Sequence, residues 1–282
     1  LAVSGYTGDT TGPSLLSFDL NMNSGKLTLS FSETVVPGSV IPSRIVLQNA
    51  ATGTTSYRLT GGSGTAVSDA VVEFLLSTTD LNMIKANRLL AISSATTFIQ
   101  LDAGAIQDPI GNNGAAIANG AALAVTVFTP DTTPPSLVSF ELNMNTQQLT
   151  MTFSETVNGA SFTVTAISLQ SNASGGSAYQ LTGGALAPVR DSVVLVLNMS
   201  NADMHALKLD TELAVSQETT FIVISSGAAV QDMNSRSLNV ILASNALQVS
   251  VYVGDSVSPT LTAFAVNMNT GILTLNFDEP VH

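Results

Sequence analysis

One stretch of this sequence occurs three times, and it limits the possible fold more than any other feature. Phe18-Asp-Leu-Asn-Met-Asn-Ser-Gly-Lys-Leu-Thr-Leu-Ser-Phe-Ser-Glu-Thr-Val35 returns as Phe140-Glu-Leu-Asn-Met-Asn-Thr-Gln-Gln-Leu-Thr-Met-Thr-Phe-Ser-Glu-Thr-Val157. It returns again as Phe264-Ala-Val-Asn-Met-Asn-Thr-Gly-Ile-Leu-Thr-Leu-Asn-Phe-Asp-Glu-Pro-Val281. Phe140 lies 122 residues after Phe18, and Phe264 lies 124 after Phe140. Solenoid rungs repeat every ~20–50 residues. A period this long belongs to a whole domain, large enough to bury its own core.

Within the repeat, Leu27, Leu29 and Phe31 alternate with Thr28 and Ser30, which is the period of a strand with one face buried. Leu149, Met151 and Phe153 keep the same phase, as do Leu273, Leu275 and Phe277. The preceding turn, Asn21-Met-Asn-Ser-Gly25, is rich in residues that tolerate turn geometry. Further strands are expected near 14–20, 45–48, 57–60, 70–76, 96–101 and 123–128, with counterparts one period on. Between the fifth and sixth of these seven, Asp80-Leu-Asn-Met-Ile-Lys-Ala86 and Asp203-Met-His-Ala-Leu-Lys-Leu209 read as short helices behind an Asp able to cap. The expected fold class is all-β: tandem immunoglobulin-like antiparallel β-sandwich domains, each with one short helix. Residues 13–130 and 131–254 read as two full repeats. Residues 1–12 read as the last strand and linker of a preceding repeat, and 255–282 as the first hairpin of a following one. Asp131-Thr-Thr-Pro-Pro135 and its counterpart Asp9-Thr-Thr-Gly-Pro13 read as semi-rigid linkers, because proline fixes φ and biases its predecessor to extended geometry.

Composition narrows the function classes. Only 10% of residues are charged, against about 25% in an average domain. Ser, Thr, Asn and Gly make up the polar balance, which fits an extracellular or cell-surface protein better than a cytosolic enzyme. The net charge is −12, so little is available to neutralise phosphates, and neither a nucleic-acid partner nor an anionic membrane surface is expected. No apolar run is long enough to insert in a membrane. The absence of cysteine excludes disulfides and thiolate chemistry. His205 and His282 are the only histidines, and the first repeat has Asn82 where the second has His205. A Ser-His-Asp site needs its histidine in each functional unit. There is no Trp to form a sugar platform, and Tyr57 and Tyr179 occupy equivalent strand positions, as core or tyrosine-corner residues do. No enzyme activity is expected.

Three segments carry a family likeness: the Asp131-Thr-Thr-Pro-Pro135 linker, Leu27-Thr-Leu-Ser-Phe-Ser-Glu-Thr-Val35, and Gln107-Asp-Pro-Ile-Gly-Asn112. They resemble the tandem Ig-like repeats of very large extracellular and cell-surface proteins of bacterial and algal type. The second repeat departs from that pattern at Gln231-Asp-Met-Asn-Ser235. The resemblance implies a filament, stalk or adhesin spacer whose partners are neighbouring repeats of the same chain and other copies of the filament. The alternative is a binding module that presents its loops to a glycan or receptor. Loops 49–56 and 171–178 differ but lack aromatic anchors, which favours the spacer.

The carboxylates are the residues with a chemical claim. An up-and-down walk through the strands gathers Asp9, Glu33, Asp69 and Asp108 at one pole of the first repeat. Asp131, Glu155, Asp191 and Asp232 gather at that pole of the second, and Asp255 and Glu279 begin the third set. Ca²⁺ takes six to eight oxygens in flexible loop geometry, so these acids are candidate ligands for a Ca²⁺ that stiffens each joint. Asp69 and Asp191 are the weakest members. The competing reading is that the acids cap turns and pair with Lys or Arg. The Asn-Met-Asn turn is expected to face the next domain, with its asparagines bonded to backbone and its Met filling a gap. Asn172 and Asn198 head acceptor sequons and are candidate glycosylation sites.

Overall fold

The computed structural model describes residues 3–281, which divide between Thr133 and Pro134 into two compact units. In the first, β1 (Leu15–Asn21), β2 (Lys26–Phe31), β3 (Ile45–Gln48), β4 (Ser56–Arg58), β5 (Gly62–Ser68) and β6 (Val71–Leu76) precede the helix α1 (Thr78–Ala86). β7 (Phe98–Leu101), β8 (Leu123–Ala124) and β9 (Val127–Thr129) follow it. One sheet has the order β5-β6-β2-β1-β9 and the other β4-β3-β7-β8. All pairs are antiparallel except β1–β9, where Asp19, Leu20 and Asn21 run parallel to Val127, Phe128 and Thr129.

The core follows from the alternation. Leu27, Leu29 and Phe31 of β2 point inward with Phe18 and Leu20 of β1 and Val72 and Phe74 of β6. They meet Ile45 and Leu47 of β3 and Ile99 and Leu101 of β7 from the other sheet, in one buried cluster. This is an immunoglobulin-like sandwich.

The second unit repeats the plan. It contains β10 (Leu137–Asn143), β11 (Gln148–Asn158), β12 (Ile167–Asn172), β13 (Gly175–Gln180), β14 (Gly184–Leu186), β15 (Ser192–Met199), α2 (Asn201–Leu209), β16 (Phe221–Ile224), β17 (Gln231–Asp232), β18 (Leu247–Gln248) and β19 (Val251–Val253). Its sheets run β14-β15-β11-β10-β19 and β13-β12-β16-β18. A final hairpin, β20 (Leu261–Asn267) with β21 (Ile272–Phe277), has the register of β1–β2. Among the described residues no second sheet covers it, so Phe264 is 68% exposed where Phe18 is 1% and Phe140 0%.

Three expectations change. The segment after Gly61, read as a loop, forms the edge strand β5, because Gly62–Ser68 pairs along β6 despite having almost no apolar residues. The last strand divides in two: β8 joins β7, while β9 crosses to the other sheet. The helices are capped by Ser77 and Ser200, whose side chains accept from the Asp80 and Asp203 N–H groups; the aspartates sit inside the first turn. No described helix is long and apolar enough to cross a membrane.

Candidate functional site

The repeated Asn-Met-Asn turn does two jobs. Its first asparagine closes the turn: Asn21 Oδ1 accepts from the N–H of Asn23 at 3.0 Å and of Ser24 at 3.2 Å, and Asn143 does the same for Asn145 and Thr146. Met22 and Met144 are buried and fill the sandwich end. The second asparagine grips the linker that leaves the domain. Asn23 Oδ1 accepts from Thr132 N–H at 2.7 Å and from the Thr133 hydroxyl at 3.0 Å, while its amide donates to the Pro130 carbonyl at 3.1 Å. In the second unit Asn145 Oδ1 accepts from Ser256 N–H at 2.8 Å and its Nδ2 donates to Ser256 Oγ at 3.1 Å. A backbone bond from Met22 N–H to the Thr129 carbonyl at 2.9 Å completes this clasp, as Met144 to Val253 does one period on.

The acids divide by oxygen. Each linker aspartate uses one oxygen to cap its own turn: Asp9 Oδ1 for Thr11 N–H at 2.9 Å, Asp131 Oδ1 for Thr133 at 3.2 Å, Asp255 Oδ1 for Val257 at 3.2 Å. The other oxygen of Asp131 meets Lys85 Nζ of α1 at 2.8 Å, with both side chains almost fully buried. The other oxygen of Asp255 meets Lys208 Nζ of α2 at 2.9 Å, and the same ammonium contacts Glu279 Oε2. Burial alone would lower the Lys208 pKa, but its bonds to Glu279 and Asp255 outweigh that and raise it. His205, one turn before Lys208, lies with Nε2 3.1 Å from the Asp278 carbonyl. His282 lies outside the described residues.

In the first unit, oxygens of Asp9, Glu33 and Asp108 come within 4.8 Å of one another. Asp108 Oδ1 accepts from the N–H groups of Ile110, Gly111 and Asn112 at 2.7–2.9 Å, and Oδ2 from Asn112 Nδ2 at 2.8 Å. Burial raises its pKa, but these donors more than reverse the effect. Among the described residues Glu33 takes no such donors. Burial, with Asp9 and Asp108 beside it, holds its carboxyl above the usual range. In the second unit Glu155 and Asp232 are buried with oxygens within 4.8 Å of each other, and Asp232 Oδ1 caps Asn234 and Arg236. Asp69 and Asp191 are not in these groups. Asp69 lies in the tight turn between β5 and β6 and supplies its backbone carbonyl to Val35 N–H.

The most elaborate polar site was not singled out in the sequence. Asp80, fully buried, accepts from Tyr57 Oη at 2.8 Å, Thr60 Oγ1 at 2.7 Å, Thr60 N–H at 3.0 Å and Gly61 N–H at 2.9 Å. Asp203 repeats the set with Tyr179, Thr182 and Gly183 at 2.7–3.0 Å. Desolvation raises both carboxyls, but the donors win and leave them below the usual carboxylate range. Burial and the Asp80 hydrogen bond push Tyr57 up to about 12. A charge paired this fully is a lock between helix and sheet. The signal was present in the coincidence of Tyr, Thr-Gly-Gly and Asp one period apart.

Of the sequon asparagines, Asn172 is exposed at the end of β12, where the hairpin turns into β13, and Asn198 is exposed within β15. Ser200, the hydroxyl of the second sequon, is occupied as the cap of α2.

No family model matches the sequence, and no curated protein matches it. Solved structures with some likeness include the N-terminal part of the bacterial S-layer protein SbsC, at 12% identity, a TM-score of 0.28 and coverage of 50% of this chain and 31% of that one. A longer form, the S-layer protein rSbsC(31-844), matches at 10% identity and a TM-score of 0.28, covering 95% of this chain and 32% of that one. The I9-I11 tandem from titin matches at 8% identity and a TM-score of 0.19, covering 86% and 66%. The chain spans about a third of the S-layer structures' length. At these TM-scores the likeness bears on neither function nor partner.

Proposed function

We propose that this chain is a spacer segment of an extracellular structural protein, a filament, stalk or adhesin in which Ig-like domains are set in line by gripped linkers. The observation that supports it best is the clasp: the same turn residue, Asn23 and then Asn145, holds the outgoing linker in each unit. Beside each clasp a helix lysine meets the linker aspartate, Lys85 with Asp131 and Lys208 with Asp255. A linker held to its own domain at two points has fewer conformations open to it, which suits a spacer more than a set of independent binding modules. On this reading no residue is catalytic. Electron microscopy of the native material tests it: long regular fibres are expected, and isolated globules would overturn it.

A second reading has an observation of its own. The convergence of Asp9, Glu33 and Asp108 favours a Ca²⁺ site in the first unit, where three carboxylates would supply part of the six to eight oxygens the ion needs. By repeat equivalence Asp131, Glu155 and Asp232 are their counterparts. Melting the protein with and without chelator tests this: an unchanged midpoint rules it out.

A further inference from the structure

We propose that Asp9, Glu33 and Asp108 form a socket for a protein ammonium group, the helix lysine of a homologous repeat, and so constitute a head-to-tail contact surface between repeats. This deepens the spacer reading and rests on it. The acid trio alone would not identify a ligand, since acidic residues often cluster for other reasons. The same chain, however, shows what the equivalent positions hold. Asp255 corresponds to Asp9 and Glu279 to Glu33, and both contact the ammonium of Lys208. Asp131, the third member of the linker series, contacts Lys85, the counterpart of Lys208.

The oxygen assignments carry over. In Asp131 and Asp255, Oδ1 caps the turn and Oδ2 takes the lysine. Asp9 spends Oδ1 in the same way, on Thr11 N–H. Its orientation is fixed from the other side by Asn112, whose Nδ2 donates to the Asp9 carbonyl at 3.2 Å. Asp108 is saturated by loop donors and supplies a fixed negative charge. Glu33 takes no such donors among the described residues, and its oxygen lies within 4.8 Å of those of Asp9 and Asp108, a like-charge crowding that an ammonium placed among the three relieves. A single lysine suits the space: three donors, one charge, and a stem that packs along the helix.

The test joins residues 1–246 to a complete second copy, since Leu247 through Pro259 aligns with Leu1 through Pro13. Lys208 of the leading copy then stands before Asp9 of the trailing copy as it stands before Asp255 in the chain itself. A zero-length carbodiimide couples ammonium to carboxylate only at contact distance, and peptide mapping identifies the pairs. The Lys208–Asp255 and Lys208–Glu279 pairs serve as internal control. A new isopeptide from leading-copy Lys208 to trailing-copy Asp9 or Glu33 is expected, and it should vanish when that lysine alone is changed, Lys208→Met. Control pairs without the new pair would overturn the socket while leaving the spacer untouched. Calorimetric titration of the unfused chain with CaCl₂ closes the other route. Saturable binding abolished by Glu33→Gln would assign the trio to a metal and also overturn the proposal.

Discussion

Replacing Asp80 by Ala should destabilise the first unit more than any other single polar change there. Its carboxylate is fully buried and takes four donors at 2.7–3.0 Å. The Tyr57 and Thr60 hydroxyls can turn to other acceptors, but the N–H groups of Thr60 and Gly61 are fixed by the backbone and lose theirs. Their bonds to Asp80 are part-buried, and each such donor left unsatisfied costs about 1–3 kcal/mol. With the loss of the charge-assisted bonds partly offset by no longer burying a carboxylate, the total comes to about 4 kcal/mol. For a unit of this size that lowers the midpoint by roughly 12–20 °C. Because each unit has its own core, differential scanning calorimetry should show one transition shifted and the other unmoved. Asp203→Ala should move the other transition. The pH dependence supplies a second check. The folded carboxyl lies below its unfolded value of about 3.9, so this stabilisation is fully present above about pH 4 and fades as pH falls through the folded value. Asp80→Asn should remove that part of the acid sensitivity. A shift below about 3 °C in Asp80→Ala would refute the view that this network locks helix to sheet.

Other outcomes follow from the same contacts. Tyr57 is raised to about 12, so its stabilisation is complete below its unfolded value of about 10 and is lost as pH climbs towards 12; Tyr57→Phe should flatten the alkaline limb of a melting-point profile. Asn145→Ala should free the Ser256 amide, raising its hydrogen exchange about fivefold for a bond worth about 1 kcal/mol, with the unit's own melting little changed. Gln147 holds φ 58° where the other two turns place Gly25 and Gly271, so Gln147→Gly should stabilise the second unit by about 1 kcal/mol in denaturant titration. Secreted from a glycosylating host, the chain should carry glycan at Asn172, in an exposed hairpin turn, in preference to Asn198, and peptide mapping reads the ratio.

The parts of this fold that were legible in the sequence are those where burial alternates with the pleat. Leu27, Leu29 and Phe31 announced β2 because their partners face water or a neighbouring strand, and the threefold repetition fixed the phase. β5 was illegible for the complementary reason. Gly62-Ser-Gly-Thr-Ala-Val-Ser68 buries almost nothing, and what makes it a strand is the ladder along β6, a tertiary fact with no local signature. For the aspartates of the two helices a local reading offers only a cap, as it does for any Asp before a helix. Ser77 and Ser200 already supply the cap, so Asp80 and Asp203 are left to turn inward to a tyrosine about 24 residues away in sequence.

The acids show how far a repeat can carry such a reading. Convergence of Asp9, Glu33 and Asp108 followed from counting strands between poles, and it is what the structure contains. Asp69 stays outside that group, because β5 turns a long loop into a hairpin and leaves its side chain at an exposed tip. What lies opposite the acids was beyond any reading of the acids alone. Lys208 stands five residues after Asp203, so the helix that buries one carboxylate inward offers its ammonium outward to Asp255 and Glu279. The lock and the joint are therefore two sides of one nine-residue helix. A change that unseats Asp203 should loosen the linker as well, and hydrogen exchange across 255–260 in Asp203→Ala, rising together with exchange in α2, distinguishes this coupling from two independent sites.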